Sequence, residues 1–215
     1  PIFDPDFSEH SFGFRPGRNG QQAVKQVQSI IKEGRRFAVD VDLSKFFDRV
    51  NHDLLMTRLG DKVKDKRLLK LIKRYLRAGF IDNQFKGESR VGVPQGGPLS
   101  PLLANIMLDS LDKELEKRGH KFARYADDFT ILVKSQRAGE RVLRSISQYL
   151  QSRLKLVVNT DKSRVVKTNE SQFLGFTFKA NRIHWHPKTL LKFKQNVRKL
   201  TNRNWGVSMK YQLFK

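Results

Sequence analysis

The chain has 215 residues, 38% of them hydrophobic, no cysteine, and 43 Lys and Arg against 21 Asp and Glu, for a net charge of +22. That length holds one sizeable domain or two small ones; no apolar run approaches the ~18 residues that span a membrane, no secretory segment opens the chain, and disulfides and cysteine-built zinc sites are excluded. The cations run along the whole sequence, so the expected partner is a polyanion, nucleic acid first, with a generally adhesive, ribosome-like basic protein as the plainer alternative.

The chain starts without Met and stops at Lys215 inside a helical pattern, so a piece of a longer protein is expected. Residues 1–20, rich in Gly, Pro, Phe and Arg, read as an ordered loop. Val24, Val27, Ile30 and Ile31 then share one face of a helix over residues 22–33, which stops at Gly34. Residues 37–43 read as a strand whose interior carries two acids, Asp40 and Asp42. Amphipathic helices follow at 53–59 and 66–78. The second turns Leu68, Leu69, Ile72, Tyr75 and Leu76 inward and its Lys and Arg outward.

Residues 81–93 read as extended or hairpin structure, and the Gly- and Pro-rich stretch 93–98 breaks the pattern. Residues 99–117 form a helix with Leu103, Met107, Leu111 and Leu115 aligned. Strands at Lys121–Tyr125 and 129–133 flank Ala126, Asp127 and Asp128. A helix over 141–152, short strands at 156–158 and Arg164–Lys167, and a hairpin from 173–178 to 183–185 come next. Pro187 then opens a last helix. The fold class is α+β, and the order fits a split βαββαβ core.

The chemistry concentrates in the acids. Asp127 and Asp128 sit side by side at a hairpin tip, where like charges repel and the apolar strands offer them nothing. Alone, such a pair is most often a solvated turn. Asp42, ending the run Val39-Asp40-Val41-Asp42, changes the balance: with the two strands as neighbours, three carboxylates meet at one sheet edge. Such a cluster is costly unless divalent cations neutralise it, and hard oxygen ligands suit magnesium. Two ions of this kind can activate an attacking hydroxyl and stabilise a leaving pyrophosphate.

Asp42-Leu43-Ser44-Lys45-Phe46-Phe47-Asp48 resembles motif A of reverse transcriptases, and the stretch from Gly92 to Pro101 resembles their motif B. Arg124-Tyr125-Ala126-Asp127-Asp128 is similar to motif C and Asn159-Thr160-Asp161-Lys162-Ser163 to motif D. Phe173-Leu174-Gly175-Phe176 looks like the strand motif that follows, and the stretch from Ser11 to Arg18 like a fingers motif upstream. These stand in family order over about residues 8–178. The Ala of the motif C tetrad and Asn105 after Leu103-Ala104 resemble the proteins of bacterial group II introns.

The resemblance implies a right-hand polymerase. Fingers would come from 1–36 and 52–98, the palm from 37–51 and 99–180, and the start of a helical thumb or maturase region from 181–215. It implies an RNA-directed DNA polymerase, adding dNTPs to a DNA or RNA primer on an RNA template. Two magnesium ions would serve it, with manganese as a substitute, in a bacterial cytoplasm with no membrane. Binding of the parent intron RNA to aid splicing is implied beside it.

Carried over position by position, Asp42 and Asp127 hold both metals, the Val41 carbonyl assists one, and Asp128 contributes more weakly. Lys162 gives a proton to the leaving pyrophosphate. Phe47 stands against the sugar 2′ position, Gln95 contacts the incoming nucleotide, and Gly96 lets backbone approach the template–primer pair. Arg15 and Arg18 are candidates for triphosphate or template phosphates.

Asp40 has no matching duty and reads as a hydrogen-bonded or solvated strand residue. His184 and His186 share a strand face without a third ligand and read as ordinary surface. The basic rows at 62–77 and 188–203 fit phosphate contacts and solvated helix faces equally. The alternatives are an RNA-binding maturase with an unused polymerase site and a retron, diversity-generating or defence-associated reverse transcriptase. Intact Asp42, Asp127 and Asp128 argue against the first.

Overall fold

A computed structural model of the chain describes residues 2–78, 91–94 and 96–201. Its centre is an antiparallel sheet of β1 (Phe37–Val41), β2 (Lys121–Tyr125), β3 (Asp128–Val133) and β4 (Arg164–Lys167), in the spatial order β2-β3-β1-β4. Helices α1 (Gly20–Lys32), α2 (Phe46–Arg49), α3 (His52–Lys62), α4 (Lys66–Arg77), α5 (Ser100–Lys117) and α6 (Gln136–Leu154) surround it. The crossover from β1 to β2 contains α2 to α5, and that from β3 to β4 is α6. This is the split βαββαβ order expected from the sequence.

Strand alternation divides the sheet into two faces. Val39, Val41, Phe122, Phe129 and Ile131 point to one side, where α5 and α6 supply Leu103, Met107, Leu111, Leu115, Ile146 and Leu150. All are buried, and removing a side chain of this size from water favours folding by about 1.5–3 kcal/mol. Ala38, Ala123 and Leu132 point to the other side, under Val24, Val27 and Ile31 of α1 and the rings of Phe173 and Phe178. A capping box starts α1: Asn19 Oδ1 accepts from the Gln22 amide at 2.9 Å and the Asn19 amide donates back to Gln22 Oε1 at 2.8 Å, which satisfies two otherwise orphaned donors.

Several local expectations are corrected. Residues 156–158 form no strand, only a bridge from Val158 to Leu43. Helix α6 starts at Gln136, five residues early, under a Ser135 cap. Leu68 is 42% exposed rather than inward, because α4 packs through Ile72 and Leu76. Most of the extended segment expected at 81–93 lies outside the described residues; Val91 bridges Asn51.

The late hairpin is present as β5 (Phe176–Lys179) and β6 (Arg182–Trp185), and α7 (Pro187–Leu200) follows, starting at Pro187 as expected. No helix among the described residues is long and apolar enough to cross a membrane.

Candidate active site

The pairing of β1 with β3 sets Asp40 opposite Thr130, and that with β4 sets Asp40 opposite Arg164. Two residues further along, the same sheet face presents Asp42, immediately after β1, and Asp128, the first residue of β3. A pocket of about 280 Å³ opens there, lined by Asp40, Val41, Asp42, Asp128, Lys162 and Arg164. Three acids and two bases from three distant stretches of the chain therefore share one cleft. Asp127 is half-buried in the turn beside it.

The electrostatics follow from that crowding. The Asp128 carboxyl is pushed up to about 6, first by burial and then by the charges of Asp40, Asp127 and Asp42. A hydrogen bond from the Leu174 amide opposes the shift. Water at the residue's exposed outer surface softens the effect without reversing it. Burial also raises the Asp40 carboxyl, although its Oδ1 accepts from Thr130 Oγ1 at 2.9 Å and Ser171 Oγ at 3.1 Å. Asp40 is thus a hydrogen-bonded strand residue that ties the segment after β4 to the sheet.

Asp42 and Lys162 are brought together by backbone. The Asp42 amide donates to Ser163 Oγ at 3.0 Å, and its carbonyl accepts from the Asn159 amide at 2.8 Å. Asn159 Oδ1 in turn accepts from the amides of Asp161 and Lys162, an Asx turn that swings Lys162 toward the acids.

Carboxylate oxygens of Asp42, Asp127 and Asp128 make a hard donor set that suits a divalent cation, and the raised Asp128 carboxyl marks negative charge that a cation would relieve. Among the described residues no three acids or imidazoles are gathered closely enough to enclose an ion unaided. Magnesium held by one or two carboxylates together with substrate phosphates does not need such a cage.

The turn that carries Asp127 is held by a network that sequence reasoning missed. Ala126 adopts φ +58°, a left-handed conformation that costs a non-glycine residue about 1–3 kcal/mol unless its surroundings impose it. Arg124, wholly buried, donates to the Ala126 carbonyl at 2.8 Å. Its remaining N–H groups go to Asp112 at 2.6–3.0 Å, Asn105 Oδ1 at 2.9 Å and Ser11 Oγ at 2.7 Å. All five guanidinium donors are engaged. Burial pushes the Asp112 carboxyl up, and the Arg124 charge opposes this. Asn105 Nδ2 donates onward to the Gly13 carbonyl at 2.8 Å. Gly13 itself has no room for a side chain, since a Cβ there would lie 2.2 Å from the Ala126 nitrogen.

Phe47 is half-exposed, edge-on to the buried Phe46 ring at 5.2 Å. It lines a separate cavity of about 520 Å³ with Phe14, Gly96, Gly97, Pro98 and Ser100. Phe47 and Gly96 therefore share a cavity, and Asp42 lines the other. Val93 and Gly92 amides donate to the Phe47 and Val50 carbonyls, stitching the Phe47 segment to the loop of Gly96. Gln95 lies outside the described residues.

Arg15, a candidate for phosphate contact, is buried. Its guanidinium donates to Asp4 Oδ1 and to the carbonyls of Asp4, Ser8 and Ser11. Its charge is held inside the N-terminal loop. Arg18 pairs with Glu9 and donates to the Glu9 carbonyl at 2.6 Å.

A family model described as reverse transcriptase (RNA-dependent DNA polymerase) matches residues 1–178. Protein YkfC of Escherichia coli (strain K12) is 31% identical over 221 residues, covering 85% of this chain and 57% of that protein. The group II intron-encoded protein LtrA of Lactococcus lactis subsp. cremoris is 26% identical, covering 84% of this chain and 41% of that protein. The chain thus spans roughly half the length of these relatives or less. The solved structure of apo telomerase from Candida tropicalis, truncated from its C-terminal domain, superposes with a TM-score of 0.63 at 14% identity. That match covers 82% of this chain and 41% of that one and is a likeness of fold: the fingers and palm of a right-hand polymerase.

Proposed function

The chain belongs to the reverse transcriptase family, and from that premise we propose that it carries the polymerase site of an RNA-directed DNA polymerase of the group II intron type. In this reading residues 37–51 and 99–180 are the palm, 1–36 and 52–98 the fingers, and the thumb begins near 181. Its setting is the bacterial cytoplasm. The observation that supports the reading most is the convergence of Asp42, Asp128 and the Asp127 turn at one end of β1 and β3. The likeness to an intron-encoded relative supports a second role in binding intron RNA.

Asp42 and Asp127, helped by Asp128 and the Val41 carbonyl, would hold two magnesium ions, which manganese can replace. Bound there, the ions supply activation of the primer 3′ hydroxyl and charge for the leaving pyrophosphate. Lys162, which lines the cleft beside the Asx turn, would give that leaving group a proton. The test is primer extension by the full gene product on an RNA template with dNTPs and magnesium. Complementary DNA is expected; a folded, template-binding protein that adds no nucleotide contradicts the reading.

Phe47 would set sugar choice. A missing 2′ hydroxyl offers nothing to bond, so discrimination rests on overlap between the ring and a ribose, a repulsive device. Phe47→Val or Phe47→Ala is expected to lower the ratio of kcat/KM for a deoxynucleotide to that for its ribonucleotide, while deoxynucleotide addition persists. An unchanged ratio in a folded, active variant would make Phe47 a packing residue only.

Template RNA would meet the outer side of α4. Lys66, Arg67, Lys70, Arg74 and Arg77 are exposed there, and the helix itself contains no acid. Every cation that no longer neutralises a phosphate should flatten the dependence of log K on log salt by about 0.7–0.9. Joint alanine replacement of Lys64, Lys66, Lys70, Lys73 and Arg74 is expected to reduce the slope by several such steps. An unchanged slope would move the RNA-binding face elsewhere.

A further inference from the structure

Buried hydroxyls without a hydrogen-bond partner are rare, because desolvation is then uncompensated. Tyr75 carries one: its Oη is buried and has no partner among the described residues. The ring packs against the larger core from the inner side of α4, and the hydroxyl reaches across to the glycine turn before α5. A Cβ built on Gly97 would lie 2.1 Å from Tyr75 Oη. The hydroxyl thus fills the space that a side chain at position 97 would need.

The surroundings leave an acceptor open to that hydroxyl. Ser100 Oγ, which would lie 3.1 Å from the same Cβ, already donates to the Pro94 carbonyl at 2.5 Å. The Gly97 carbonyl accepts from the Ser100 amide at 3.2 Å and keeps a second lone pair. The same turn lines the cavity shared by Phe47, Gly96 and Gly97. An unmet donor therefore stands against a turn that lines the cavity.

We propose that Tyr75 is a positioning residue for the nucleotide: its hydroxyl latches onto a carbonyl of the Gly96-Gly97 turn when a nucleotide fills the cavity. The inference rests on the reading of that cavity as the nucleotide site. In the free protein the donor is unsatisfied and slightly destabilising. In the filled state it is satisfied, so part of the nucleotide's binding depends on a residue that never touches it. Such an interaction, present with bound substrate and kept in the transition state, acts on KM and leaves kcat in place.

The test uses Tyr75→Phe in the full gene product, with nucleotide addition measured on a template–primer and melting measured without nucleotide. The expected result is a KM for dNTP raised by about 3- to 10-fold, the worth of one neutral hydrogen bond. With it, kcat should stay within about twofold and the nucleotide-free melting temperature should not fall. An unchanged KM overturns the latch. So does a lower melting temperature, which would mean that the hydroxyl is already bonded in the free protein.

Absence of nucleotide addition by the wild-type protein overturns the polymerase reading, and the latch's ligand with it. The contact itself is read separately. Gly97→Ala should lower the melting temperature in the wild-type background and clearly less in the Tyr75→Phe background, where the obstructing oxygen is gone. Equal losses in both backgrounds overturn the placement of the hydroxyl against the turn.

Discussion

Asp42→Asn and Asp127→Asn should each lower RNA-templated nucleotide addition by well over 100-fold, while both proteins remain folded. Removing groups that merely orient metal ligands typically costs about 10- to 100-fold, and these two residues are assigned as the ligands themselves. An amide oxygen is a neutral and weaker donor, and among the described residues the cleft offers only Asp40, Asp128 and the unchanged member of the Asp42 and Asp127 pair in its place. Stability should move the other way. The Asp128 carboxyl is held near 6 by burial and by its acidic neighbours, so the metal-free native state binds more protons than the unfolded chain between about pH 4 and pH 6. Stability therefore declines as pH rises through that window and stays lower above it. Asp128→Asn should flatten the decline. Melting curves from pH 4 to pH 7, run beside single-nucleotide kinetics, check both signs. Wild-type rates in either ligand variant, at matched folding, would remove the metal-ligand assignment.

Asp112→Ala should be among the most damaging substitutions in the chain, although Asp112 touches no substrate. It leaves Arg124, which has no exposure to water, as an uncompensated buried charge. Breaking a buried pair in this way costs about 3–5 kcal/mol. For a chain of this size that corresponds to a melting temperature lower by roughly 10 °C. The damage should also reach function, because the same guanidinium holds the Ala126 carbonyl and, through Asn105, the Gly13 carbonyl. The double variant Asp112→Ala with Arg124→Met should recover much of the lost stability, since the stranded charge is then gone, and little of the activity, since the turn stays unheld. A single variant that melts within about 2 °C of wild type, against the same scale, would show that the network contributes little.

The sheet and most helices were legible because their burial follows simple periods. Val39 and Val41 alternate with Asp40 and Asp42, and Leu103, Met107, Leu111 and Leu115 repeat at helical spacing. The helix expected from 141 left out Gly139, a residue type that weakens a helix interior by about 0.5–1 kcal/mol relative to Ala. In three dimensions it is required, because a Cβ there would lie 2.5 Å from Val165.

The meeting of Asp42 and Asp128 was anticipated from two acidic strands, but the bonds that hold the site were not. Asp112 looked like one more charge beside Asp109, Glu114 and Glu116. Its spacing did carry a signal: four residues after Leu108 and three before Leu115, it lies on the buried stripe of α5. Arg15 could not be told from other arginines, because its partners Asp4, Ser8 and Ser11 come together only when the N-terminal loop folds. Tyr75 read simply as an inward ring, and the position of its hydroxyl depends on the path of a loop that no periodicity describes.

The most direct measurement is the number of divalent ions bound per chain when a nucleotide occupies the site, read by titrating manganese into the full gene product with template–primer and an unreactive dNTP analogue. Two ions are expected for the wild-type protein, with loss of the tight sites in Asp42→Asn and Asp127→Asn. Equal manganese binding in the wild-type and both variants would contradict the assignment of these carboxylates as the metal site for nucleotidyl transfer.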